Sequence, residues 1–361
     1  MIVYIVLFGI LALFGLLDIV RLKGSQKYIF IFLIFTLFIL LDGLRWETGT
    51  DWPFYKAFFQ KCTMGNNMHF EPGYVLINQF IYNISGSYTV FLIFVAFLMY
   101  SLYLRSIADY AFYPIISSLF LYCTFIGFMG MNRQHIALGI CLFSFRYIIS
   151  QKYWKFIICI LLASLFHRTA LIFFVTYFLN RHIPAHILLF SLLVVYFLNP
   201  FISGLLKPFV SSMPNQIAYK LNVYLHSEYT NSTFGTIIGS LKRALIFLPL
   251  YLNKKKLAEE FPNIELMLNI YFLSLLIYVL FNNSVQVFVS RGNLYFGSLF
   301  EIFLIPLFLL LVKKNISQII VYCLLLILGF LSLLKSISVF YDLFVPYKGL
   351  FINSHFHRVM H

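Results

Sequence analysis

A chain of 361 residues with 61% hydrophobic and only 11% charged side chains, at a mean hydropathy of +0.90, has too little polar area for a water-facing surface, which excludes a soluble globular protein. Its 26 Lys and Arg against 12 Asp and Glu leave a formal charge of +14, but the basic residues cluster between apolar runs, the positive-inside pattern and not a nucleic-acid footprint. The composition reads as an all-α polytopic integral membrane protein forming a single membrane domain over 1–361, with no internal repeat.

Apolar runs of roughly 17–25 residues match the hydrocarbon core of a bilayer. The first, 2–20, carries its positive charges after it, at Arg21, Lys23 and Lys27, and shows no small-residue cleavage site, so it reads as a retained span with the N-terminus outside. The run 28–44 returns to the outer face. The stretch 45–74, RWETGTDWPFYKAFFQKCTMGNNMHFEPGY, is the first that hydrocarbon cannot dissolve, and its charges must sit in water or line a polar cavity. Segment 74–84 is too short to span and reads as an interfacial or re-entrant helix, which gives a first outer loop over 45–87.

The run 88–104 then crosses inward, and 114–129 and 136–149 pair around a short outer turn at 130–135. Runs 154–166 and 170–179 form a hairpin that puts His167 and Arg168 at an outer junction. Run 185–198 leads into a second outer segment, 199–235, rich in Pro, Ser, Asn and Tyr. After it, 236–252 reaches the cytoplasmic Lys254, Lys255 and Lys256, 266–281 goes out, 294–312 returns to Lys313 and Lys314, and 316–334 leaves a tail over 335–361 outside. The total is about twelve crossings. The five cysteines offer neither a disulfide framework nor a zinc spacing.

In this topology Arg45, Arg133, His135, His167, Arg168, Arg243 and Arg291 interrupt apolar runs on the outer half. Glu47, Asp51, Glu71, Glu228 and Glu301 are nearly all the carboxylates near them. Guanidinium groups converging on one leaflet call for an anion from outside the chain, and a lipid pyrophosphate matches the guanidinium fork. Plainer readings stand beside this one. Arg45 is equally an interfacial anchor, His167 a satisfied interfacial histidine, Lys242 a snorkelling lysine, Arg291 a solvated loop residue, and His355, His357 and His361 a tail end without metal. Trp52, Tyr55 and Tyr74 read as sugar-stacking surfaces or as interfacial belt aromatics.

Five motifs in order resemble the EpsG family of Wzy-type bacterial polysaccharide polymerases over almost the whole chain. They are Arg45-x3-Gly49-x-Asp51-x3-Tyr55, Glu71-Pro72-Gly73-Tyr74, Arg133-Gln134-x-Ile136-Ala137, Ala163-Ser164-x2-His167-x-Thr169-Ala170 and Pro346-Tyr347-Lys348. The resemblance implies a polymerase of O-antigen or a similar surface glycan, multi-pass in the bacterial inner membrane. Such an enzyme moves the growing chain from undecaprenyl pyrophosphate to the non-reducing sugar of another lipid-linked unit at the periplasmic face, alongside a chain-length co-polymerase.

No acidic pair with metal-ligand spacing is visible, so no metal or cofactor is expected, and cationic side chains take the role of a divalent ion toward the leaving group. That role falls to Arg133, Arg243 and Arg291, with Arg45 as a fourth. His167 is the expected base or orienting group, with Asp51 and Glu71 as alternatives. Asp51, Tyr55, Glu71, Tyr74, Gln134, Tyr347 and Lys348 are expected substrate contacts, and one in-line displacement implies inversion. The rival classes are a flippase of the same lipid-linked unit, an O-antigen ligase and a membrane acyltransferase.

Overall fold

A computed structural model describes residues 1–20, 26–64, 70–211, 233–282, 286–313 and 316–356. Arg21, Lys23, Glu228, Lys314, His357, His361 and most of the expected second outer segment lie outside the described residues. In chain order the helices are α1 (Ile2–Val20), α2 (Gln26–Gly43), α3 (Trp52–Lys61), α4 (Pro72–Ser85), α5 (Tyr88–Tyr110), α6 (Pro114–Phe125), α7 (Asn132–Ile149) and α8 (Tyr153–Ser164). A 3-10 helix follows over Arg168–Leu179, then α9 (Ala185–Leu198), α10 (Ile202–Ser211), α11 (Thr233–Leu252), α12 (Lys254–Glu260), α13 (Ile264–Phe281) and α14 (Gln286–Gly292). A π-helical turn over Asn293–Ser298 leads to α15 (Leu299–Leu304), α16 (Phe308–Leu311), α17 (Ile316–Ser338) and α18 (Tyr341–Phe344). Among the described residues there is no strand, only one isolated bridge between Arg45 and Gly349.

Among the described residues seven segments are long and apolar enough to cross a bilayer: Ile2–Val20, Gln26–Gly43, Tyr88–Tyr110, Gly235–Leu252, Ile264–Phe281, Phe288–Leu311 and Ile316–Ser338. The other five expected crossings fall short for identifiable reasons. With 12 residues, α8 is about 18 Å long, and the 12-residue 3-10 helix about 24 Å, against roughly 30 Å of hydrocarbon. Helix α7 has 18 residues, but its first turn, 132–135, is wholly polar. The runs through α6 and α9 are apolar and short.

The described chain divides into two compact units, Met1–Phe174 with Ile305–His361, and Val175–Leu304. In the first, α2 packs on α5, α5 on α7, α7 on α8, and both α1 and α17 on α6. Helix α6 is fixed by an acid from another element: Asp18 accepts the Ile115 and Ile116 amides at 2.7 and 2.9 Å, satisfying donors that a helix start leaves open. In the second, α13 packs on α11, α9 and the π-turn.

The expected interfacial segment is α4. Pro72 occupies its first turn and Gly86 ends it in the left-handed conformation at φ 61°, its amide donating to the Tyr82 carbonyl at 2.8 Å. The stretch between α2 and α4 also holds a second helix, α3, with Asp51 at its N-cap.

Candidate functional site

The loop after α2 is anchored by the segment after α18. The Trp46 amide donates to the Lys348 carbonyl at 2.9 Å, the Gly49 amide to the Leu343 carbonyl at 3.2 Å, and the Thr48 hydroxyl to the Lys348 carbonyl at 3.1 Å. Lys348 Nζ reaches Glu47 Oε2 at 2.6 Å, and the Tyr347 hydroxyl donates to the Leu41 carbonyl at 2.6 Å. Both Tyr347 and Lys348 are buried, so these two expected substrate contacts are engaged in holding the loop. Gly49, at φ 105°, lies against the Met129 carbonyl and against Gly130, itself at φ 107°. Only residues without a Cβ let the two backbones come this close, and the approach sets the turn that leads into Arg133.

Arg45 is sealed inside this assembly. Only 2% exposed, it forms an ion pair with Asp42 and donates Nη1 to the Asp42 carbonyl and Nη2 to Asn132 Oδ1, each at 2.9 Å. Asp42 in turn accepts the Tyr100 hydroxyl at 3.2 Å.

Arg133 lies differently. It sits in the first turn of α7, its side chain 23% exposed, and donates Nη1 to Glu71 Oε2 at 2.6 Å and Nε to the Tyr55 hydroxyl at 3.1 Å. Its guanidinium stacks on Phe70 at 4.6 Å, and Nη2 donates to no described residue. The Tyr55 hydroxyl is pushed up to about 12 by burial, with Arg133 pulling it down and Asp51 pushing it further up. Asp51, Tyr55, Glu71 and Arg133 are thus brought together as one electrostatic group.

The rings of the loop form its own small core and do not present open stacking faces. Trp52, Tyr55 and Tyr74 are buried. Tyr55 and Tyr74 lie 5.3 Å apart, Phe58 and Phe70 4.5 Å, and Tyr74 and Phe91 5.9 Å. Half-buried Trp46 packs on Trp52 at 5.0 Å, with Lys56 Nζ over both rings. Gln134 is buried inside α7.

His167 stands at the corner between α8 and the 3-10 helix, half-buried. Its Nδ1 meets Thr169 Oγ1 at 2.6 Å, which fixes the ring, whereas Ser164 turns back to the Leu161 carbonyl. This corner is tied to Glu71: the Gly73 amide donates to the Leu165 carbonyl at 2.8 Å, and a Cβ at Gly73 would meet the same oxygen.

The second unit holds Arg243 and Arg291. Buried Arg243 donates to Gly239 O and Asn293 Oδ1 at 2.8 and 2.7 Å and stacks on Tyr278 at 4.0 Å. Arg291 is half-buried at the end of α14.

One expectation is corrected by these contacts. Two of the arginines do not lack internal counter-ions, since Arg45 and Arg133 pair with Asp42 and Glu71, and Lys348 and Lys242 pair likewise with Glu47 and Glu301. Sequence reasoning missed Asp42, Asn132 and Phe70. The Asp42-x2-Arg45 spacing at a helix end was the available signal for the first.

No curated protein and no solved structure matches the chain. The EpsG family model matches residues 28–349. A chain matched over nearly its whole length, with apolar helices of membrane-crossing length, is a membrane-embedded protein related to polysaccharide biosynthesis, and it belongs to the EpsG family.

Proposed function

We propose that the protein polymerises lipid-linked oligosaccharide repeat units into O-antigen or a similar surface polysaccharide. The growing chain moves from undecaprenyl pyrophosphate to the non-reducing sugar of a second unit by a single inverting displacement at the periplasmic face of the inner membrane. Arg133 is the observation that carries this reading. Glu71 and Tyr55 pin two nitrogens of its fork, and the Nη2 edge is left to meet a phosphate oxygen. A charge held in place before reaction needs no reorganisation as the pyrophosphate departs.

His167 takes the proton of the acceptor hydroxyl, with Thr169 setting the ring. Arg243 and Arg291 are the second unit's own cations for a lipid diphosphate, and no divalent metal is required. Arg45, enclosed by Asp42 and Asn132, supports the loop and does not touch substrate. Membrane lipid and a chain-length co-polymerase are the expected partners.

Purified protein in liposomes, given lipid-linked repeat units and a chelator, is expected to yield a ladder of chain lengths. Arg133→Ala and His167→Ala should each abolish it while the protein stays folded, and full activity in both would refute the assignment. Translocation without a ladder identifies a flippase, and transfer only to a different acceptor identifies a ligase.

A further inference from the structure

The second unit buries a carboxylate within a segment of membrane-crossing length. Glu301, in α15 directly after the π-turn, has a side chain only 5% exposed. Its Oε2 accepts from Lys242 Nζ at 2.8 Å and its Oε1 from the Tyr271 hydroxyl at 3.1 Å. The next residue of α11, Arg243, is buried beside them, and its Nε meets no acceptor among the described residues. Of its partners Gly239, Asn293 and Tyr278, Asn293 is held in turn by Ser298 at 3.0 Å, so the π-turn helps set the position of the guanidinium. Lys242 itself is 53% exposed, on a helix face otherwise made of Ile237, Ile238, Leu241 and Leu245.

Ionisable groups persist in such spans where they face water, a partner or a ligand, and π-turns gather at functional sites. Two cations against one carboxylate leave a positive charge over, and a buried donor waits without an acceptor. The apolar side chains around Lys242 suit a hydrocarbon tail better than bulk water.

We propose that Lys242 and Arg243 form an anion site for a phosphate-bearing lipid head group, with Glu301 as the positioning residue that holds Lys242 until the phosphate displaces it. The apolar face of α11 takes the adjoining part of the tail. The inference rests on the proposed polymerase reading only for what the head group carries. It adds Lys242 as a ligand-binding residue and gives Glu301 a role.

The full-length protein in nanodiscs is titrated with a sugar-free polyprenyl pyrophosphate and, separately, with inorganic pyrophosphate. Wild type should bind the lipid at least about tenfold more tightly than the free anion, and Lys242→Met should weaken lipid binding by about tenfold or more, the worth of a charged hydrogen bond. Glu301→Gln should tighten it, because the internal competitor for Lys242 is removed. Lys242→Arg keeps the charge and should restore affinity, which covers the case in which Lys242→Met fails to fold. Unchanged affinity in both Lys242→Met and Glu301→Gln, with equal losses of stability, marks a structural ion pair and overturns the proposal. Equal affinity for inorganic pyrophosphate overturns the lipid assignment. Binding as described without a ladder removes the polymerase reading and leaves this site standing, and a ladder with affinity indifferent to both variants does the reverse.

Discussion

Replacing Arg45 by Met separates a structural from a catalytic arginine. The side chains of Arg45 and Asp42 are 1% and 4% exposed, so solvent screening takes little from their interaction. Removing the guanidinium alone strands the Asp42 carboxylate with the Tyr100 hydroxyl and takes a donor from Asn132. Breaking one side of a buried ion pair costs about 3–5 kcal/mol, whereas replacing both partners by apolar groups of similar volume is nearly neutral. Arg45→Met should therefore lose about 3–5 kcal/mol, and Asp42→Leu with Arg45→Met should recover most of it, a coupling of up to about 3 kcal/mol. Unfolding in mixed micelles of wild type, both single variants and the double variant measures the coupling, with ladder formation per folded protein measured alongside. Normal stability with no activity in the double variant would show that Arg45 touches substrate after all. A single variant no less stable than the double would show that the pair is not buried as described.

Arg133→Lys keeps the charge, but one ammonium cannot serve Glu71 and Tyr55 together, so ladder initial rates should fall by about 10²-fold, mainly in kcat, with an unchanged unfolding midpoint. Gly49→Ala should destabilise by about 1–3 kcal/mol, because φ is 105° and a Cβ would strike the Met129 carbonyl; Gly9→Ala, where a Cβ meets nothing within 4 Å, is the neutral control in the same melt. Tyr55 carries a pH signature. Its folded pKa of about 12 exceeds the roughly 10 of an unfolded tyrosine, so its stabilisation is whole below about pH 10 and is lost as pH rises toward 12. Wild type should lose stability more steeply than Tyr55→Phe across that window, and parallel slopes would contradict the burial argument.

The long spans were legible because hydropathy over some twenty residues is a property of the chain alone, and the short helix expected over 74–84 is present as α4, which starts two residues earlier at Pro72. What a residue faces was not legible. Tyr55 and Tyr74 looked like stacking platforms and became the core of the loop, since burial depends on elements far away in sequence, such as Phe91 on α5. The Arg133–Glu71 pair spans 62 positions and no periodicity announces it. The short helices failed for another reason: an apolar run of 12 residues serves equally well as a buried piece of a bundle.

The strap that holds the loop after α2 comes from residues 343–349, some three hundred positions later in the chain. During synthesis the early helices must therefore wait in the bilayer with Glu47 and Thr48 still lacking Lys348. A nascent chain halted before α18 would carry Arg133 and His167 yet have no fixed loop above them. The loop therefore takes its fixed form only after the residues from Leu343 to Gly349 have joined the helices made before them.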